Sequence, residues 1–255
     1  AANMNIQLSQ SSFQGNMGIT GYNGMHMILN SITCNGSITL SGAENMKMQL
    51  NNLNCTGSMS ANASAGSNGS RTAIYMIDCN INADLNIDQD NYELEAIHCN
   101  VGNNTTFRYG SFVASKTMNL FVNSEPGGGN VADSIHKILI VADTISGLLN
   151  YQHDNYKLVL ANNLLNKVFI IKWNYYSGNS NKILNNEFTG TQPFLQFPKN
   201  NVPNYNIDVS NNIFSNPIFN YTSHQSCYIW GNSDAQASNY SSCSMPPVSY
   251  NYTGN

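Results

Sequence analysis

The sequence predicts an all-β fold, a parallel β-solenoid, on three observations. A cysteine returns at Cys34, Cys55, Cys79 and Cys99, at intervals of 20 to 24 residues. Short stretches alternate polar and apolar residues with a period of two, as in NMNIQL, MHMIL, MKMQL, YKLVL and YNIDV. Between them the chain carries a turn at a near-constant offset and one stretch of variable length, such as SANASAGSNGSR, NSEPGGGNVADS, NYYSGNSN and FPKNNVPN. A unit of this size cannot bury its apolar side alone, so neighbouring units must stack.

The repeat can be followed along the chain. Anchored on the cysteines, one column runs Phe13, Cys34, Cys55, Cys79, Cys99, Val122, Ile145, Leu165, Phe188 and Phe214, at spacings of 20 to 26. Three residues earlier stands a polar column of Gln10, Ser31, Asn52, Asn119, Asn162, Asn185 and Asn211, interrupted by Met76, Ala96 and Ala142. Glycine often follows the anchor, as at Gly15, Gly36, Gly57, Gly147 and Gly190. The expectation is about ten coils over residues 1–220, with residues 221–255 leaving the repeat as an irregular C-terminal cap.

LANNLL, ILNNEFTG and VSNNIFSN resemble right-handed parallel β-helix repeats of the pectate-lyase-like architecture, and the resemblance spans roughly residues 3–220. It implies a right-handed parallel β-helix in which asparagines stacked at a turn bond to the backbone and to one another. Asn52, Asn119, Asn162, Asn185 and Asn211 are the positions matched to that ladder. The architecture hosts lyases, hydrolases, adhesins and virion spikes, so it does not choose a function.

Composition narrows the classes. Charged residues make up 9% of the 255, the formal net charge is −4, and Arg71 and Arg108 are the two arginines. Nucleic-acid binding needs clustered cations to displace counterions, and that class is set aside. The most apolar runs, HKILIVADTISGLL and KLVLANNLLNKVFIIKW, are too often broken by charge or asparagine for a membrane helix, so no membrane insertion is expected. Asparagine fills 44 positions while lysine is scarce, which points to use of the side-chain amide.

Cys34, Cys55, Cys79 and Cys99 are expected to form one inward column of buried free thiols acting as small hydrophobes. Spread over about 14 Å at strand spacing, they cannot close one tetrahedral zinc site. Cys227 and Cys243, in the polar C-terminal region, are expected to form a disulfide closing a 16-residue loop. By chain entropy such a bond contributes about 3 kcal/mol and suits an oxidising compartment.

No constellation singles out catalysis. Asp78 and His98 share a column one before the anchor, with Glu187 farther along, and offer an acid/base pair, weighed against a solvated surface contact. Asp88, Asp90 and Glu93, in NIDQDNYELE, offer oxygen ligands for a structural calcium, the one cofactor weighed, against an exposed acidic loop. Tyr151 and Tyr156, with Trp173, Tyr175 and Tyr176 on the next loop, offer a platform on which sugar rings stack, against aromatics that cover one another. Sequons at Asn35, Asn62, Asn68, Asn104, Asn220, Asn239 and Asn251 permit glycosylation.

A solenoid ends in unpaired strand edges, normally covered by atypical caps. The first coil begins at once in NMNIQL with no cap, so its end is expected to stack on another copy or on a neighbouring β-helix. The function expected is a structural or adhesive module, extracellular or on a cell or virion surface. The alternatives are a carbohydrate-active enzyme and a non-catalytic glycan-binding module.

Overall fold

A computed structural model describes residues 4–22, 24–42, 45–63, 72–88, 92–123, 137–151, 157–170, 180–189, 195–197, 206–210, 213–214, 219–221 and 227–230. Among these there is no helix, and hence none long and apolar enough to cross a membrane. The fold class is the all-β parallel solenoid expected. The chain divides into two compact units, Ala1–Met118 and Asn119–Asn255.

In the first unit each coil contributes three strands. The first coil has β1 (Asn5–Ser9), β2 (Ser12–Phe13) and β3 (Met17–Gly21); the second has β4 (His26–Asn30), β5 (Thr33–Cys34) and β6 (Ile38–Gly42). The third has β7 (Lys47–Asn51), β8 (Asn54–Cys55) and β9 (Met59–Ala63). Like strands pair in parallel and in register: Leu8 with Leu29 and Leu50, Phe13 with Cys34 and Cys55, Met17 with Ile38 and Met59. Thr72–Ile77, Tyr92–Ile97 and Gly110–Val113 continue the first stack. In the second unit Lys137–Val141, Lys157–Ala161, Ser180–Leu184, Asn206–Ser210 and Cys227–Trp230 pair the same way. The last of these carries the repeat into the region expected to be a cap.

The period-two alternation puts every second side chain inside. In the third coil Met48, Leu50, Leu53, Cys55 and Met59 are buried, while Lys47, Asn52, Asn54 and Thr56 are exposed. Between the first and second strand of each coil the chain turns through one residue in the left-handed region. These are Gln10, Ser31, Asn52, Asp78, His98 and Ala114 in the first unit, and Ala142, Asn162 and Asn185 in the second, with φ between 49° and 60°. Asn, Asp and His tolerate this conformation best among residues with a side chain.

This turn, not the cysteine, marks the phase of the repeat, and it corrects the columns read from sequence. Asn80 pairs with Asn54, so the position stacked on Cys55 is Ile81, followed by Val101. Cys79 and Cys99 stand two residues earlier, above Leu53 and Ile32. The four cysteines therefore form two in-register pairs in adjacent columns. Both columns point inward, so identity of residue type misled the alignment by one full alternation. The supposed interruptions at Met76 and Ala96 disappear, because Asp78 and His98 occupy the turn. Asn119 is not a turn residue; Ala114 is. Asn119 instead accepts a hydrogen bond from the Leu148 amide through Oδ1 at 2.8 Å.

The buried asparagine ladder is one residue later than expected. Asn162 and Asn185 are the exposed turn residues; Asn163 and Asn186 are buried. Asn163 accepts from the Asp143 amide through Oδ1 (2.8 Å) and donates through Nδ2 to the Ile140 carbonyl (2.9 Å) and to Asn186 Oδ1 (2.8 Å). Asn186 Oδ1 also accepts from the Asn163 amide (3.0 Å), and its Nδ2 donates to the Leu160 carbonyl (2.9 Å). Asn52 is a turn residue, bonded sideways to Ser31, and Asn211 lies outside the described residues.

Glycine after the short strand follows from close stacking. A Cβ on Gly36 would meet the Gly15 carbonyl, and one on Gly57 would meet Gly36 and the Ser37 hydroxyl.

Candidate functional site

Among the described residues, the first coil lies at the edge of the stacks. β1, β2 and β3 are the outermost strands of their three stacks. Their inward residues are open where the equivalent residues one coil on are covered. Ile6 is 37% exposed and its partner Met27 7%; Met4 is 49% exposed, whereas Met25, one coil on, is 2%. Leu8, Phe13 and Met17 are half-buried, while Leu29, Cys34 and Ile38 above them are buried.

The backbone of β1 has two sides. In a parallel pair the bonding residues alternate along each strand. The His26 amide bonds the Met4 carbonyl (2.8 Å), and the Gln10 amide bonds the Asn30 carbonyl (3.0 Å). That phase puts the even-numbered residues of β1 on the paired side and turns the amides and carbonyls of Asn5, Gln7 and Ser9 to the open side.

Native edges are usually blunted by charge, proline or a bulge. Residues 1–43 contain no Lys, Arg, Asp, Glu or Pro, and Glu44 is the first formal charge. Among the described residues, this is a strand edge whose Asn5 and Gln7 backbone groups face away from β4, whose Ser9 carbonyl accepts from the Ser11 hydroxyl (3.0 Å), and which open apolar residues flank. The sequence led to the expectation of a first coil without a cap; which residues line the edge of the first described coil required the register.

The other sequence candidates distribute as follows. Asp78 and His98 meet at 3.5 Å, both well exposed on adjacent turns. Glu187 is not in their column; it lies in the short strand Glu187–Phe188 and pairs with Leu164. Asp88 forms an ion pair with Arg108, Nε to Oδ1 2.7 Å, with both side chains largely buried. Nearby, Asp84 accepts from the amide and Nδ2 of Asn104 at 3.1 and 2.9 Å. Glu93 is half-buried in Tyr92–Ile97, opposite Ala73, and Asp90 lies outside the described residues. Among the described residues no three His, Cys, Asp or Glu side chains gather as metal ligands.

Tyr151 is corrected. It is fully buried, stacked between Val122 and Ile170, so it cannot belong to an exposed sugar platform. Its place at the end of an eight-residue strand, on an inward alternation, is the physical reason. Tyr156, Trp173, Tyr175 and Tyr176 lie outside the described residues, as does Cys243. Cys227 is in a strand opposite Ile207.

Cys34, Cys55, Cys79 and Cys99 are free and buried, as expected. Burial pushes the Cys55 thiol above its ordinary range. The neighbouring Cys99 thiol draws Cys79 down against the effect of burial, and Cys79 together with burial pushes Cys99 up.

Comparison with protein-family models, with curated proteins and with solved structures finds no match to this chain.

Proposed function

We propose that the chain is a structural module of an extracellular or surface-exposed assembly, and that the edge of its first described coil takes a further β-solenoid edge, from another copy of this chain or from a neighbouring β-helix; self-association is the form tested below. The observation that carries this reading is the triple edge of β1, β2 and β3, which is uncharged, free of proline and flanked by exposed Met4 and Ile6. Another strand edge added there, antiparallel if it is the same edge of a second copy and parallel if it is the far end of a solenoid, would satisfy open backbone groups and cover the apolar columns, the mode of recognition known as strand addition. The 9% charge content and the abundant asparagine support a role in which neutral amide surfaces stack.

The test is native mass by light scattering over a range of concentrations, for the chain and for Gln7→Pro. Proline at Gln7 removes an amide on the open side and leaves the bonds to β4 intact. We expect a dimer or larger species that Gln7→Pro reduces to monomer with an unchanged circular dichroism spectrum. A wild-type monomer at every concentration overturns the proposal.

A further inference from the structure

The two cysteine pairs have a geometry that the packing role of a small hydrophobe does not require. Cys34 and Cys55 are direct register partners. Cys79 and Cys99 are likewise equivalent, since Asn80 pairs with Asn100 and the Asn100 amide bonds the Cys79 carbonyl at 2.8 Å. Within each pair the side chains take the same orientation, as their hydrogen bonds show. Cys34 Sγ donates to the Gly15 carbonyl (3.4 Å) and Cys55 Sγ to the Gly36 carbonyl (3.1 Å), one coil on. Their second acceptors, Ser37 and Ser58, stand at the same offset. Cys79 Sγ donates to Leu50 and Ile77 (3.2 and 3.3 Å), and Cys99 Sγ to Met76 and Ile97 (3.6 and 3.4 Å). Leu50 pairs with Met76, and Ile77 with Ile97.

Two sulfurs with equivalent partners in adjacent coils are related by translation. Their separation is therefore set by the strand spacing of about 4.8 Å, and the two thiols of each pair are close enough to interact directly. That spacing is far beyond the ~2.05 Å of a disulfide, which both side chains would have to rotate to form. It is close to twice a metal–thiolate bond of about 2.3 Å. A cation midway between the two sulfurs would be bound linearly by two thiolates, with at most a small approach of the two side chains. Zinc asks for four ligands, and no third donor of the His, Cys, Asp or Glu type joins either pair among the described residues. Thiolate ligands select soft cations.

We propose that Cys34 with Cys55, and Cys79 with Cys99, are two sites for a soft, two-coordinate cation of the copper(I) class. In each, two S–H bonds break, two S–Cu bonds form and two protons pass to solvent; no electron is transferred.

The test uses the full chain carrying Cys227→Ser and Cys243→Ser, reduced and kept under argon. Copper(I) is offered from a chelator that buffers its free concentration, and uptake and the copper X-ray absorption spectrum are recorded. We expect two copper ions per chain, each with two sulfur neighbours, falling to one in Cys34→Ala and to none in Cys34→Ala with Cys79→Ala. If an alanine variant fails to fold, the parent chain still decides by mass spectrometry of alkylated thiols: copper should protect Cys34 and Cys55 together, and Cys79 and Cys99 together. No uptake from the buffer, three or more sulfur neighbours, or uptake retained in the double alanine variant overturns the proposal. So does a disulfide between Cys34 and Cys55 in the air-oxidised chain, because it would show that the sulfurs are not held apart.

Discussion

At the scale of single residues, the left-handed turn is where sequence and backbone meet most directly. The conformation costs an ordinary L-residue about 1–2 kcal/mol, and a short amide or carboxylate side chain relieves part of it. Asn52, Asp78, His98, Asn162 and Asn185 suit the position, whereas Ala114 and Ala142 carry the strain without relief. Ala142→Asn should therefore stabilise the fold by about 0.5–1 kcal/mol, read as a higher midpoint in denaturant with an unchanged slope.

A second residue-scale case is Tyr92. It is buried, and its hydroxyl finds no hydrogen-bond partner among the described residues. A buried hydroxyl left unpaired costs about 1–3 kcal/mol, so Tyr92→Phe should be neutral or stabilising. Burial also raises its pKa above the ordinary 10.0, as it raises Cys55 above 9.0. The folded chain then keeps these protons at a pH where the unfolded chain has released them. Stability from this source is complete below pH 9 and is lost as pH rises beyond it. Melting temperature should fall from about pH 9 upward, and Tyr92→Phe should flatten the portion above pH 10.

At the scale of the repeating element, the two asparagines of Asn162–Asn163 and of Asn185–Asn186 have opposite fates. The first occupies the left-handed turn in water; the second points inward, and Asn163 links three coils by hydrogen bonds. Asn163→Ala removes an acceptor from the Asp143 amide and donors to Ile140 and Asn186. Leaving several buried groups short of partners should cost about 2–4 kcal/mol. Asn162→Ala touches only the turn and should cost about 1 kcal/mol. Paired denaturation curves check the contrast, and equal losses would place the ladder at the wrong residue. The sequence shows the NN column but not which member is inside, because that depends on a one-residue phase set by the turn. The same ambiguity joined four cysteines into one column: Leu53 and Cys55, or Cys79 and Ile81, are both inward, and only strand pairing tells them apart. Likewise, Asp88 looked like a metal ligand until Arg108, twenty residues on, was placed beside it by the coil spacing.

At the scale of the whole molecule, the solenoid was legible because its evidence is redundant. Strand alternation, recurring turns and variable loops each report it independently along the chain, and an error in one coil does not disturb the rest. The proposed interface rests on one coil, once, and its clearest sequence sign is negative: forty-three residues without a formal charge or proline. That sign has a measurable consequence. Association through β1, β2 and β3 would rest on backbone hydrogen bonds and apolar cover, with no ion pair to screen. The melting temperature should then rise with protein concentration, by mass action. It should depend little on salt between about 0.05 and 0.5 M, a range over which interactions between exposed charges are strongly screened. Ile6→Lys places a charge in the open apolar column and should abolish the concentration dependence while leaving the dilute-limit melting temperature unchanged. A strong loss of association with salt in the wild-type chain would point to charged surfaces elsewhere and remove the first coil from the account.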